Sequence, residues 1–215
     1  MTISIAFTIL DVETLFSKEW LDTMVKIFGV ELKNVHISRG MEDFHVEAEV
    51  YLNGQPVGFF IDEGSGGPGM LKFSCEMSTR KEFYYVAWRY FASYPEVDTL
   101  ALYEYTQREF TELKGSLPKV SYKEWPDEKV AMFFVSRIIY LYQLEEQLVQ
   151  ARSEGYSAIV VAKYYALKNA KATPEKIFYT DGSDEMLGQV ISIIEKTNHN
   201  YVISQYKSDN DFQIG

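Results

Sequence analysis

The chain has one cysteine, Cys75, among 215 residues. That excludes an internal disulfide framework and any zinc site built from several cysteines. Cys75 lies in LKFSCEM, an apolar strand-like setting that predicts a buried structural thiol. Basic residues are in deficit, with 21 Lys and Arg against 31 Asp and Glu and a formal charge of −10. Phosphate contacts need clustered cations, so the balance argues against direct nucleic-acid binding. Long hydrophobic runs are missing too. The longest, AMFFVSRIIYLY, contains Arg137 and is too short to span a bilayer. The first residues, MTISIAFTILDVE, lack a basic segment and a small-residue cleavage site. Together these absences point to the cytoplasm and to no membrane partner. There is no HExxH, no GxSxG and no Cys/His constellation, and His36 and His199 are isolated. Internal repeats and low-complexity tracts are lacking.

What is present is apolar and aromatic. The hydrophobic fraction is 47%, enough for a sizeable core, and there are 16 Tyr, 14 Phe and 3 Trp. Tyrosine is rigid and amphipathic, so its excess suits a contact surface as well as a core. Net negative charge suits solubility, attraction to a basic protein surface, or imitation of a polyanion.

The stretch FHVEAEVYLNGQPVGFFIDEGSGGPG, residues 44–69, reads as a β-hairpin running into a glycine-rich loop. Asn53-Gly54 supplies the two positive-φ residues of a type I′ turn. Counting back from Leu52 opposite Gln55 pairs Val50 with Val57, Ala48 with Phe59, and Val46 with Ile61. All fall on one face, as a two-residue period requires. The other face then sets His45 against Asp62, Glu47 against Phe60, and Glu49 against Gly58.

The rest of the chain yields further elements. TISIAFTI suggests a first strand. Ser17 caps an expected helix KEWLDTMVKIF, which Gly29 ends. Val30 to Ser38 and Met70 to Met77 read as strands. Thr79 and Glu82 suggest a capping box for RKEFYYVAWRYFAS, whose aromatics predict burial on more than one side. Residues 98–114 alternate like a strand yet carry a helical stripe; helix is favoured. Gly115 to Pro126 is the best linker. Asp127 caps a long helix ending at Gly155, with Val130, Phe133, Phe134, Arg137, Leu141, Leu144 and Leu148 at helical spacing. SAIVVAKYYALKNA fits strand or helix. Lys176 to Thr180 is strand-like, Asp181-Gly182 turns, Ser183 caps DEMLGQVISIIEKT, NYVISQY is a strand, and SDNDFQIG is a polar tail. The expected fold is α+β: an antiparallel sheet with an N-terminal hairpin, packed by an aromatic helix and a long amphipathic helix. Residues 1–115 form the sheet-rich part and 116–215 the helix-rich part, as one domain or two.

Two constellations could carry function. In Asp62-Glu63-Gly64-Ser65-Gly66-Gly67, glycines let backbone N–H groups approach a phosphate and Ser65 could donate. No Lys-Ser/Thr or helix follows as a phosphate loop requires, and adjacent acids repel phosphate. The bland alternative is a strand-exit loop using glycine for its backbone freedom. The second is His45 with Asp62, backed by Glu47 and Glu63, which could hold a divalent metal or act as an acid–base pair. Its bland alternative is a cross-strand polar pair on a solvated face. Glu104, Glu109 and Glu112, and Glu145 with Glu146, read as solvated acidic faces.

In VYLNGQPVGFFIDEGSGG, Asn53, Gly54, Val57, Gly58, Gly64, Gly66 and Gly67 match a strand–turn–strand–acidic-glycine motif. The segment resembles short proteins of phages, plasmids and other mobile elements. A looser similarity continues into the long helix and KIFYTDG. The chain departs from the pattern at Gln55, where lysine is usual, at Asp62-Glu63, which replaces Asn-Asp, and at Pro68-Gly69. The resemblance implies a mobile-element origin and no particular activity. The leading expectation is a non-enzymatic acidic protein that binds a host protein, such as a defence factor, with inhibition as one outcome of binding. No cofactor and no metal site are expected. Alternatives are a nucleotide or phosphate-ligand binder using loop 62–69, and a metal-dependent hydrolase built on His45, Asp62 and Glu63.

Overall fold

The computed structural model describes residues 7–8, 25–39, 44–65, 69–93, 126–164, 176–196 and 201–215. The fold is α+β, with a six-stranded and a four-stranded sheet among the described residues. The chain divides into two compact units, residues 1–18 with 142–213, and residues 19–141 with 214–215. Residues 98–114, nearly all of the 115–126 linker and most of the 18–28 helix lie outside the described residues.

The larger unit holds a six-stranded sheet. Its strands are β2 (Lys26–Ile27), β3 (Val30–Arg39), β4 (Phe44–Leu52), β5 (Gln55–Glu63) and β6 (Met70–Phe73), with β10 (Gln213–Ile214) beside β2. Two hairpin turns lie together at one end. Asn53-Gly54 has φ of 51° and 78°, as the sequence predicts, and Phe28-Gly29 has 48° and 81°. The Asn53 N–H donates to the Gly29 carbonyl at 2.8 Å. Lys26 and Ile27 therefore belong to a strand and not to the end of a helix. A glycine after periodic apolar residues signals a helix C-cap and a hairpin turn alike. Val25, Ile27, Val30 and Leu32 are all buried, which favours the strand.

The sheet has one apolar face. Cross-strand neighbours Leu32 and Val50, Ile37 and Val46, and Ala48 and Phe60 lie on it, and each of these side chains is buried. Helix α1 (Met77–Ser93) packs there through Phe83, Tyr84, Val86, Ala87, Tyr90 and Phe91. Phe73 meets Phe83 and Tyr84 edge-on, at centroid distances of 5.9 and 5.4 Å. The first part of α2 (Asp127–Ser153) adds Phe134, 5.9 Å from Phe83 and 5.3 Å from Tyr90. Helix α1 buries one side, not several, and Tyr85 is exposed. It begins at Met77, so β6 ends earlier than expected and Thr79 lies inside the helix instead of capping it. Cys75, in the connection, is half-buried and not fully buried as expected.

Helix α2 starts one residue earlier than a cap at Asp127 would allow. Lys129 and Val130 donate to the Pro126 carbonyl, and the Asp127 carboxylate accepts from Trp88 Nε1 at 2.8 Å. It ends as expected, with Gly155 at φ 91°. The Tyr156 N–H reaches back to the Ala151 carbonyl at 3.0 Å, satisfying an otherwise orphaned carbonyl.

The smaller unit holds a four-stranded sheet in the order β1 (Phe7–Thr8), β8 (Lys176–Thr180), β7 (Ala158–Tyr164), β9 (Tyr201–Tyr206). Both faces of its centre are buried. Val160, Ala162 and Phe178 pack against Val190 and Ile194 of α3 (Asp184–Glu195), with Leu187 and Ile203 at the margin. On the opposite face the Tyr179 hydroxyl donates to Gln147 Oε1 of α2 at 3.0 Å, and Tyr156 lies 5.6 Å from the Tyr179 ring. Such two-sided burial selects an unbroken apolar run, and Ala158 to Ala162 supplies one. Ser183 caps α3 as expected, its Oγ accepting the Met186 N–H at 3.2 Å.

The tail is more ordered than its polarity suggests. Asp209–Phe212 form a 3-10 turn in which the Asp211 carboxylate accepts the Lys207 and Ser208 N–H groups. Phe212 is fully buried and stacks on Tyr206 at 5.1 Å, and Arg152 pairs with Asp209 at 2.7 Å.

Candidate functional site

The hairpin leaves the expected register after two pairs. Leu52 faces Gln55 and Tyr51 faces Pro56, but Val50 then faces Gly58, and Val57 is an extra residue. From there every pair shifts by one: Ala48 faces Phe60, Glu47 faces Ile61, Val46 faces Asp62, and His45 faces Glu63. This bulge overturns the simple count. Phe60 is 1% exposed, while Phe59 is 36% exposed and Ile61 is half-buried. Val46, Ala48, Val50 and Val57 are buried as the count required. A second bulge interrupts β3 between Lys33 and His36, where Asn34 has φ 51°.

Pro56 and Gly58 explain the bulge in β5. Proline has no N–H to give to the ladder and sits at bulges and edges. Gly58 lets β6 approach, for a Cβ there would stand 2.3 Å from the Lys72 carbonyl oxygen. Proline within a strand was the available signal of the shift. The adjacent phenylalanines hid it, because either could fill the core.

Asp62 and His45 are thus not cross-strand partners. Asp62 shares the Val46 face, half-buried, and its Oδ1 accepts the Gly64 N–H at 3.0 Å. His45 lies on the outer face, with Nε2 3.2 Å from Glu47 Oε1 on its own strand. Glu63 and Ser65 are exposed. Gly64 is buried with φ 63°, so its backbone shape itself calls for glycine. Gly69 abuts Phe60, whose Cζ lies 2.3 Å from where a Cβ would stand. Gly66 and Gly67 lie outside the described residues. Among the described residues no three His, Cys, Asp or Glu side chains gather to hold a metal ion.

The other acidic pair is not a solvated face. Glu145 is buried and Glu146 half-buried. Beside them the Tyr142 hydroxyl is held protonated well above its usual range, first by burial and then by Glu146. Glu104, Glu109 and Glu112 lie outside the described residues.

The outer face of the six-stranded sheet carries what the sequence count missed. Glu49 faces Phe59, Phe59 faces Lys72, Glu47 faces Ile61, and Ile61 faces Met70. Met70 is 55% exposed. From β3, Lys33 faces Glu49 and His36 faces Glu47, and Lys26 and Lys33 lie 4.0 and 3.5 Å from Glu31. Tyr51 donates to Glu49 at 3.0 Å, and this bond holds its hydroxyl proton on more tightly than usual.

Among the described residues no helix is long and apolar enough to cross a membrane. Comparisons with protein-family models, curated proteins and solved structures found no match.

Proposed function

We propose that this chain is a non-enzymatic, acidic interaction protein of a phage or other mobile element, acting in the cytoplasm by binding a host protein. Inhibition of that protein is the consequence to test. The observation that carries the reading is the outer sheet face. It presents Phe59, Ile61 and Met70 outward beside Glu47, Glu49 and Glu63, in a chain of formal charge −10. Exposed apolar groups rimmed by charge suit a protein contact. The mobile-element origin rests on the resemblance in the hairpin and loop. The glycine-loop alternative has less support. A phosphate would need free backbone N–H groups, and the Gly64 N–H is already bonded to the Asp62 carboxylate.

The test is capture from host lysate on the immobilised chain, with the amount of each bound protein measured. One protein in stoichiometric amount is expected, with association slowing as salt screens the charges. EDTA, His45→Ala and Asp62→Asn should leave the capture intact. A bound host protein released by EDTA and recovered with a divalent cation would favour the hydrolase alternative. Stabilisation by nucleotides with no protein partner would favour the ligand-binding one.

A further inference from the structure

The bulge at Val57 sets which side chains of β5 face outward. Without it, Phe59 and Ile61 would sit on the core face opposite Ala48 and Val46; with it, they point outward. Bulges re-aim side chains at sites that need them. The result is a contiguous apolar patch. Phe59 and Ile61 are two residues apart on β5, and Met70 faces Ile61 from β6. Glu47 and Glu49 flank the patch from β4, and Glu63 extends it along β5. The carboxylates keep capacity for a partner. Glu63 is exposed, and the partners seen for Glu47 and Glu49, His45 and Tyr51, each engage one oxygen. Lys72 stands beside Phe59, and Lys33 stands opposite Glu49 with its ammonium, like that of Lys26, drawn to Glu31.

Resting on the interaction reading above, we propose that this face docks a partner polypeptide segment in which lysine or arginine alternates with apolar side chains. The apolar residues cover Phe59, Ile61 and Met70, and the cations meet Glu47, Glu49 and Glu63. Charge selects this occupant over a second copy of the chain. Two copies of the chain repel each other at −10 each. It also disfavours an acidic or purely apolar segment.

The probe is a capped synthetic peptide alternating Lys and Val, added to the full chain and followed by methyl NMR of Met and Ile. The signals of Met70 and Ile61 should move, while buried Met186 should not. Replacing Val by Ser in the peptide should weaken binding roughly tenfold or more, and replacing Lys by Glu should abolish it. Phe59→Ser, and separately Glu47→Gln with Glu49→Gln, should each weaken binding roughly tenfold at unchanged melting temperature. The proposal is overturned if Lys-Ser binds as well as Lys-Val, if signals away from the patch respond instead, or if no binding occurs. A concentration-dependent dimer abolished by Met70→Lys would give the face to a second copy and overturn it too. A host protein captured equally well by Phe59→Ser would leave the interaction reading standing and remove this surface. Peptide binding with no host protein captured would do the reverse.

Discussion

The two sheets bury their strands differently. At the centre of the four-stranded sheet, Ala158 to Ala162 are all buried, with α3 against one face and α2 against the other. In the six-stranded sheet, the core face is closed by Val46, Ala48, Val50 and Phe60, while the outer face carries charge and three apolar side chains. A strand covered on both sides tolerates no change of facing, because either face meets a core. A strand covered on one side can invert its facing at a bulge, and what it then exposes becomes available for contact.

The sharpest break of this comparison uses neighbouring residues. Phe60→Ala should cost about 3–5 kcal/mol in urea denaturation, and Phe59→Ala under about 1 kcal/mol. Equal costs would mean that the bulge does not hold in solution. The same truncation at Phe178, 2% exposed between the sheet and α3, should cost as much as at Phe60.

Next in size is Gly58→Ala. The added Cβ would press on the Lys72 carbonyl, so β5 and β6 must separate. Overpacking of this kind costs about 1–3 kcal/mol. Amide exchange should rise selectively at β6; an unchanged exchange pattern would count against the close approach.

Smaller again is Ser183→Ala, which removes the cap of α3 and should destabilise the chain by about 1 kcal/mol. Gly188→Ala, in the same helix with open space around it, should stabilise it by about 0.5–1 kcal/mol. If the melting temperature does not fall on Ser183→Ala, the cap is not what holds that helix end.

The last effect is invisible at neutral pH. Burial, above all, raises the Tyr142 and Tyr179 pKa above the usual value of 10. A raised folded-state pKa gives stability that is complete below the unfolded value and is lost as pH rises through the folded one. The contribution of these two tyrosines should therefore be constant across neutral pH and fall above about pH 10. Absorbance titration of phenolate should show these two hydroxyls ionising only as the four-stranded sheet melts. Early ionisation of all tyrosines in the intact fold would contradict their burial.

Local signals in the chain determined a good deal. Asn53-Gly54 placed a turn because few residues accept positive φ there. Ser183 and Gly155 marked helix ends because orphaned backbone groups need those partners. Lys176–Thr180 and Tyr201–Tyr206 read correctly as strands. The α+β class followed from such segments together. Tertiary structure alone decided the rest. Residues 158–164 became strand because helices cover both faces of that sheet, which no period within the segment could reveal. Phe28-Gly29 became a hairpin turn because β3 pairs with β2. Of Phe59 and Phe60, the chain itself ranks neither as core. Proline at 56, glycine at 58 and the approach of β6 set the bulge, and the bulge sent Phe60 inward and Phe59 to the surface. A two-residue period specifies facing only until one residue is inserted, and insertion is settled by packing between strands.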